Sequence, residues 1–267
     1  MKKLQLLLFS ALAYVSAYAQ KLPNKQEASI RIPATVKIDG KAAEWDNKLK
    51  AYNTATDFSY TLANNNEDLY LVIQTKDRFV FNKIIDRGLT LSVKNTKTGK
   101  TANITYPHTT YTGKNERVSS GFGFGMIIAE QKVPEDEIAG YNKMLKARHK
   151  FIKVDGVEGL DSLVSVYNEN GINAAEQFDN DKVYTLEMAV KLKLLGLSAN
   201  DGTKFSYKLR VNTVPGAPLL GPDTKMVMMG GGEITPEIRQ QAMFDMNEKV
   251  VKMYGGTEFD GEYTLAK

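Results

Sequence analysis

The sequence predicts an all-β protein, a two-sheet antiparallel β-sandwich carrying two short inserted helices. Three observations predict it. Runs of alternating or wholly apolar residues recur at short intervals, turn-forming residues separate them, and only two stretches repeat with a helical period. The chain has no cysteine, so packing rather than disulfides must hold it, and thiol chemistry, zinc knuckles and iron–sulfur ligation are excluded.

In chain order, the first element is a leader. Lys2 and Lys3 form a basic start, residues 4–15 an apolar stretch, and Ala17-Tyr18-Ala19 a small-x-small cleavage pattern before Gln20. Residues 1–19 therefore read as a signal peptide, and residues 20–267 as a single domain exported to the periplasm or beyond. The apolar stretch is shorter than the roughly 20 residues a membrane span needs, so no span is expected after cleavage. The formal net charge is +4, half of it carried by Lys2 and Lys3. The remaining basic residues are scattered, which argues against a nucleic-acid groove.

Strands then follow one another. Ile30, Ile32, Val36 and Ile38 lead into Asp39-Gly40, the first expected strand and turn. Residues 58–62 and 69–75 read as a hairpin joined by the polar run 64–68. Further strands are expected at 88–93, 102–106, 121–129, 161–167, 183–190, 204–211 and 262–265. About ten strands need two sheets. Gly121-Phe122-Gly123-Phe124-Gly125 is read as part of a strand, because its glycines lack the spacing of a dinucleotide loop.

The two helical stretches carry clear start signals. After Pro134, the residues Ile138, Tyr141, Leu145 and Arg148 recur at helical spacing behind Glu135, Asp136 and Glu137, whose charges suit a helix N-terminus. Thr235 and Pro236 offer an N-cap and a first helical residue to a stripe of Ile238, Ala242, Met246, Val250 and Met253, which ends at Gly255-Gly256. Residues 215–232, rich in proline and glycine, are expected to form a long loop. Met226, Met228 and Met229 within it, with Met243 and Met246 on the helix, read as adaptable apolar filling before they read as a copper(I) site.

Several of these residues carry a resemblance. Ile38-Asp39-Gly40 with Glu44-Trp45, then residues 66–71 ending in Thr75-Lys76-Asp77, resemble the opening of family 9-like carbohydrate-binding modules, β-sandwiches related to the DOMON group. The run 184–190 resembles a later strand of those modules, with Lys191 where they have proline. The sequence as a whole looks closest to exported proteins of Bacteroidetes. The resemblance implies a carbohydrate or glycan ligand and admits calcium.

Candidate binding residues follow from that implication and from the chemistry of sugar faces. Sugar-binding members clamp a pyranose between two tryptophans, whereas this chain has only Trp45, read either as a ring packed into the sandwich edge or as a sugar platform. Tyr106, His108 and Tyr111, at a strand end and its loop, are the other candidates, since tyrosine offers a ring face and a hydroxyl. Asp39, Asp57, Asp68, Asp77, Asp179 and Asp181 are acidic turn residues, but none belongs to a twelve-residue calcium loop, so no metal ligand is assigned. No cofactor is required. Haem ligation, known among DOMON relatives, has only two histidines to draw on.

Catalytic motifs are thin. There is no G-x-S-x-G elbow and no H-E-x-x-H, and His108 and His149 lie in unrelated contexts. A carboxylate pair for glycoside hydrolysis stays open, because its separation of about 5 to 10 Å is invisible in sequence. The chain therefore reads as a non-catalytic binding module. The alternative is an envelope scaffold or protein-interaction domain without sugar binding.

Overall fold

A computed structural model describes residues 21–33, 35–46, 48–109, 135–213 and 235–267. The leader 1–19, the expected strand 121–129, the expected loop 215–232 and Tyr111 lie outside the described residues. Two antiparallel sheets face each other across one apolar core, as the alternation requires.

The five-stranded sheet grows from the expected hairpin. In β2 (Phe58–Asn64) and β3 (Asp68–Thr75), Phe58, Tyr60, Leu62, Leu69, Leu71 and Ile73 point to the core. The Asn65 side chain builds the turn by accepting from the amides of Glu67 and Asp68 at 2.7 and 2.6 Å. A short β1 (Ala51–Asn53) borders β2. On the other side, β9 (Tyr184–Lys191) pairs with β3 and β8 (Ile172–Phe178) forms the far edge.

The six-stranded sheet runs β11-β10-β4-β5-β6-β7. Its members are β4 (Leu89–Asn95), β5 (Thr101–His108), β6 (Phe151–Asp155), β7 (Leu163–Ser165), β10 (Lys204–Val211) and β11 (Thr257–Thr264). The inward set of this sheet includes Leu91, Ile104, Ile152, Phe205, Tyr207 and Leu209. Between the sheets, Tyr60 and Tyr207 join hydroxyls at 2.8 Å, and the ring of Phe259 lies 5.1 Å from that of Tyr60. Gly261 faces this cluster, and a Cβ there would fall 2.2 Å from the Tyr207 ring. Gly261→Ala is accordingly expected to cost about 1–3 kcal/mol through overpacking. Urea unfolding would measure it, and an unchanged midpoint would mean that Tyr207 moves aside freely.

Three α-helices are present among the described residues, one more than the sequence reading expected. The additional one is α1 (Arg78–Arg87), between β3 and β4. Asp77 caps it, accepting from Phe79 and Val80 at 2.8 and 3.2 Å, and Val80, Phe81, Ile84 and Ile85 bury its apolar side. The helix α2 (Glu135–Arg148) lies along the edge strand β8, where Asn142 both donates to the Phe178 carbonyl and accepts from its amide, each at 2.8 Å. An otherwise open strand edge is closed in this way. The helix α3 (Pro236–Tyr254) begins at the expected Thr235 cap, yet none of its residues is buried. Its C-terminal end is held by Lys83, a buried cation that donates to the Gly255 carbonyl at 2.9 Å. Burial also pulls the Lys83 ammonium below its usual range.

The expected first strand is instead an extended covering segment. Only Arg31 bridges to Asn64, and Pro33, which has no amide proton, interrupts the ladder. Ile30, Ile32 and Val36 pack with Ala42, Trp45 and Leu49 onto Ala63 and Val72, on the outer side of the five-stranded sheet. Other expectations shift in extent. The strand expected over 161–167 is three residues long, that over 262–265 extends back to Thr257, and β6 and β8 had no counterpart in the sequence reading.

Candidate functional site

Alternation in β4, β5, β6 and β10 places a second, polar set of side chains on the outer side of the six-stranded sheet. The registers align this set into rows. Arg210 stands opposite Thr90, Thr90 opposite Thr105, and Thr105 opposite Lys153. The next row runs Lys208, Ser92, Asn103 and Asp155. The right-handed twist of the sheet gives such a surface its curvature, and here it forms a groove of about 680 Å³.

Neighbouring side chains hold one another in place across the groove floor. Thr90 and Thr105 share a hydroxyl hydrogen bond of 2.8 Å, and Ser92 donates to Asn103 Oδ1 at 2.6 Å. Asn212 donates to the Arg87 carbonyl at 2.9 Å and so ties β10 to the end of α1. At one wall, Lys208 pairs with Glu258 at 2.7 Å, and Arg210 shares that carboxylate. At the other wall, Lys153 and Asp155 lie 3.3 Å apart, both about half exposed. Arg87 and Lys94 line the groove and pair with no carboxylate among the described residues.

Of the four candidate residues named from the sequence, the three that are described do not come together in one site. His108 lines the groove and is half-buried, and burial together with the nearby Lys153 lowers its pKa, partly offset by Asp155. Tyr106, two residues earlier, lies inside the core at 4% exposure. A register shift between Thr105 and His108 separates the two residues that simple alternation would put on one side. Trp45 is 8% exposed and belongs to the covering segment, packing with Ala42 and Leu49 over Ala63 and Val72 on the outer side of the five-stranded sheet. Tyr111 lies outside the described residues.

Tyr106 belongs instead to a buried polar cluster. The Glu176 carboxylate, on β8, takes hydrogen bonds from Tyr184 and Tyr106 and meets His149 Nδ1. Burial first, then the Glu176 charge, raises the pKa of both tyrosines. None of these four side chains lines the groove. The cluster therefore has no opening to a substrate there, and its chemistry is that of an internal hydrogen-bond network.

A second concavity lies at one end of the five-stranded sheet, bordered by Asp57, Asp77, Asp179, Asp181 and Lys252. Three of its four acidic side chains already have structural tasks. Asp77 caps α1 and pairs with Lys252 at 3.0 Å, Asp57 accepts from Tyr52, and Asp179 accepts from the amides of Asp181 and Val183. Of the other acidic turn residues, Asp39 accepts from Lys41 and Asp68 pairs with Lys191. Among the described residues, no three His, Asp or Glu side chains gather in a way that could hold a metal ion. Nor is any described helix long and apolar enough to cross a membrane.

The groove residues Arg87, Asn103, Lys153, Arg210 and Asn212 were missed in the sequence. Their signal was the polar half of each strand's alternation, which becomes a surface only once the pairing of non-consecutive strands is known. No protein-family model matches this chain, and no curated protein matches it significantly in sequence.

Proposed function

We propose that the exported chain is a non-catalytic binding module whose ligand is a glycan, held along the outer side of the six-stranded sheet. One observation carries this reading: an open groove floored by Thr90, Ser92, Asn103, Thr105, Ser206 and Asn212. Hydroxyls and amides both donate and accept, as sugar hydroxyls do, and concave polar surfaces of this kind suit an extended chain of sugars. With Trp45 and Tyr106 both buried, recognition rests on hydrogen bonds rather than on stacking. Each is worth about 1 kcal/mol net.

The test is binding of residues 20–267 to a glycan array, with calcium and again with a chelator. A saturable signal is expected that falls when Asn103→Ala removes an amide from the groove floor. A signal that survives Asn103→Ala would place the ligand elsewhere, and silence in both buffers would end the glycan reading. A second reading, an envelope scaffold or protein-interaction domain, draws on α3, where Ile238, Phe244, Met246 and Val251 stand exposed. A silent array would shift the weight to it.

A further inference from the structure

We infer that the glycan is an acidic one, a polysaccharide bearing carboxylate or sulfate groups, with its anions seated against Arg87, Arg210 and Lys153. This inference rests on the groove being the glycan site. The three cations lie at one end of the groove, where α1 leads into β4. Arg210 and Lys153 bracket Thr90 and Thr105 in a single cross-strand row. Neighbouring strands are about 4.8 Å apart, so three steps separate their backbones by about 14 Å. That separation spans two to three sugar units of an extended chain, with two threonine hydroxyls between.

The charges around this end favour an anion. Arg87, Lys94, Lys153, Lys208 and Arg210 line the groove against Asp155 and Asp260. Glu258, at the rim, occupies Lys208 and part of Arg210, and Asp155 occupies Lys153 only through a surface contact of 3.3 Å. Surface pairs of that kind are weak and exchange readily for a better anion. Among the described residues Arg87 has no such competitor. A guanidinium matches the planar fork of a carboxylate or the oxygens of a sulfate, which makes arginine the natural reader of such a group.

The deciding experiment is calorimetric titration of residues 20–267 at low salt with polygalacturonate, dextran sulfate and neutral dextran. At least one acidic polymer is expected to bind about tenfold more tightly than the neutral one, as charged hydrogen bonds warrant. The double variant Lys153→Gln, Arg210→Gln should erase most of that difference. Lys204→Gln, which removes an exposed cation outside the groove, should leave it unchanged. The same loss per charge removed in both variants would reduce the preference to net charge and overturn the inference. So would equal affinity for neutral dextran with the groove variants unaffected, although sugar binding itself would then survive. Binding of none of the three polymers would remove the inference, and together with a silent glycan array it would remove the glycan reading as well. Preference for single-stranded nucleic acid over both acidic polysaccharides would likewise overturn it.

Discussion

Glu176→Ala is expected to destabilise the protein by about 3–5 kcal/mol, the range found when one partner of a buried charged network is removed. The carboxylate is the shared acceptor of Tyr184 and Tyr106 and the partner of His149 Nδ1, and all four side chains are buried. Alanine leaves these groups in the core without their acceptor, and no water can replace it cheaply. His149 Nε2 has no partner among the described residues, so the cluster already holds one unsatisfied group before the carboxylate is removed. Because such a loss consumes much of a typical domain's stability, Glu176→Gln provides a second measurement. It keeps one carbonyl oxygen and should cost roughly half as much. Urea unfolding followed by circular dichroism would measure both variants. A loss below about 1 kcal/mol for the alanine variant would show that the network contributes no more than an ordinary hydrogen bond.

Glu187→Gln is expected to flatten the pH dependence of stability and to stabilise the protein at alkaline pH. Glu187 lies on the outer side of β9 beneath the Asp39-Gly40 turn, and its carboxylate accepts from both amides at 3.0 and 2.9 Å. Burial pushes its pKa up from the ordinary 4.5 to about 7, against the pull of those two amides and with help from Asp39 and Glu44. The folded protein therefore holds the proton more tightly than the unfolded chain does. The stabilisation this brings is complete below the ordinary value of 4.5 and is lost as the pH rises through about 7. Its size is on the order of 3 kcal/mol across that window. Glutamine is neutral throughout and keeps an acceptor oxygen for the two amides. Wild type and variant should unfold at similar urea concentrations near pH 4, with the variant clearly ahead at pH 8. Parallel curves at every pH would sink this assignment.

The parts of the fold that were legible in the sequence are those where a local pattern and a local turn agree. Alternation in β2 and β3 flanks an asparagine whose side chain makes the turn, and Thr235 and Pro236 mark the start of α3. The parts that were not legible depend on distant neighbours. The edge strand β8 is rich in small and polar residues, and it is a strand because β9 pairs with it and Asn142 satisfies its end. The helix α1 is a ten-residue insertion between two apolar strands, and its one clear signal, the Asp77 cap, coincided with the end of a strand motif. The groove was the least legible feature. Arg210 and Lys153 are far apart in sequence and meet in one row only through the order β10-β4-β5-β6. His108 was singled out and does line the groove, but for its own side chain rather than for company with Tyr106.

The covering segment gives the molecule a front and a back. Residues 30–49 dress the outside of one sheet, and the Asp39-Gly40 turn presses so closely on β8 that a Cβ at Gly40 would lie 2.6 Å from the Glu176 carbonyl carbon. On the outside of the other sheet, the described residues leave the groove open. The chain enters this arrangement beside β1, where the Pro23 carbonyl accepts from Tyr52. Pro23 therefore lies at the β1 edge of the five-stranded sheet. An attachment made there would sit on the sheet that does not carry the groove, leaving the groove strands free of it.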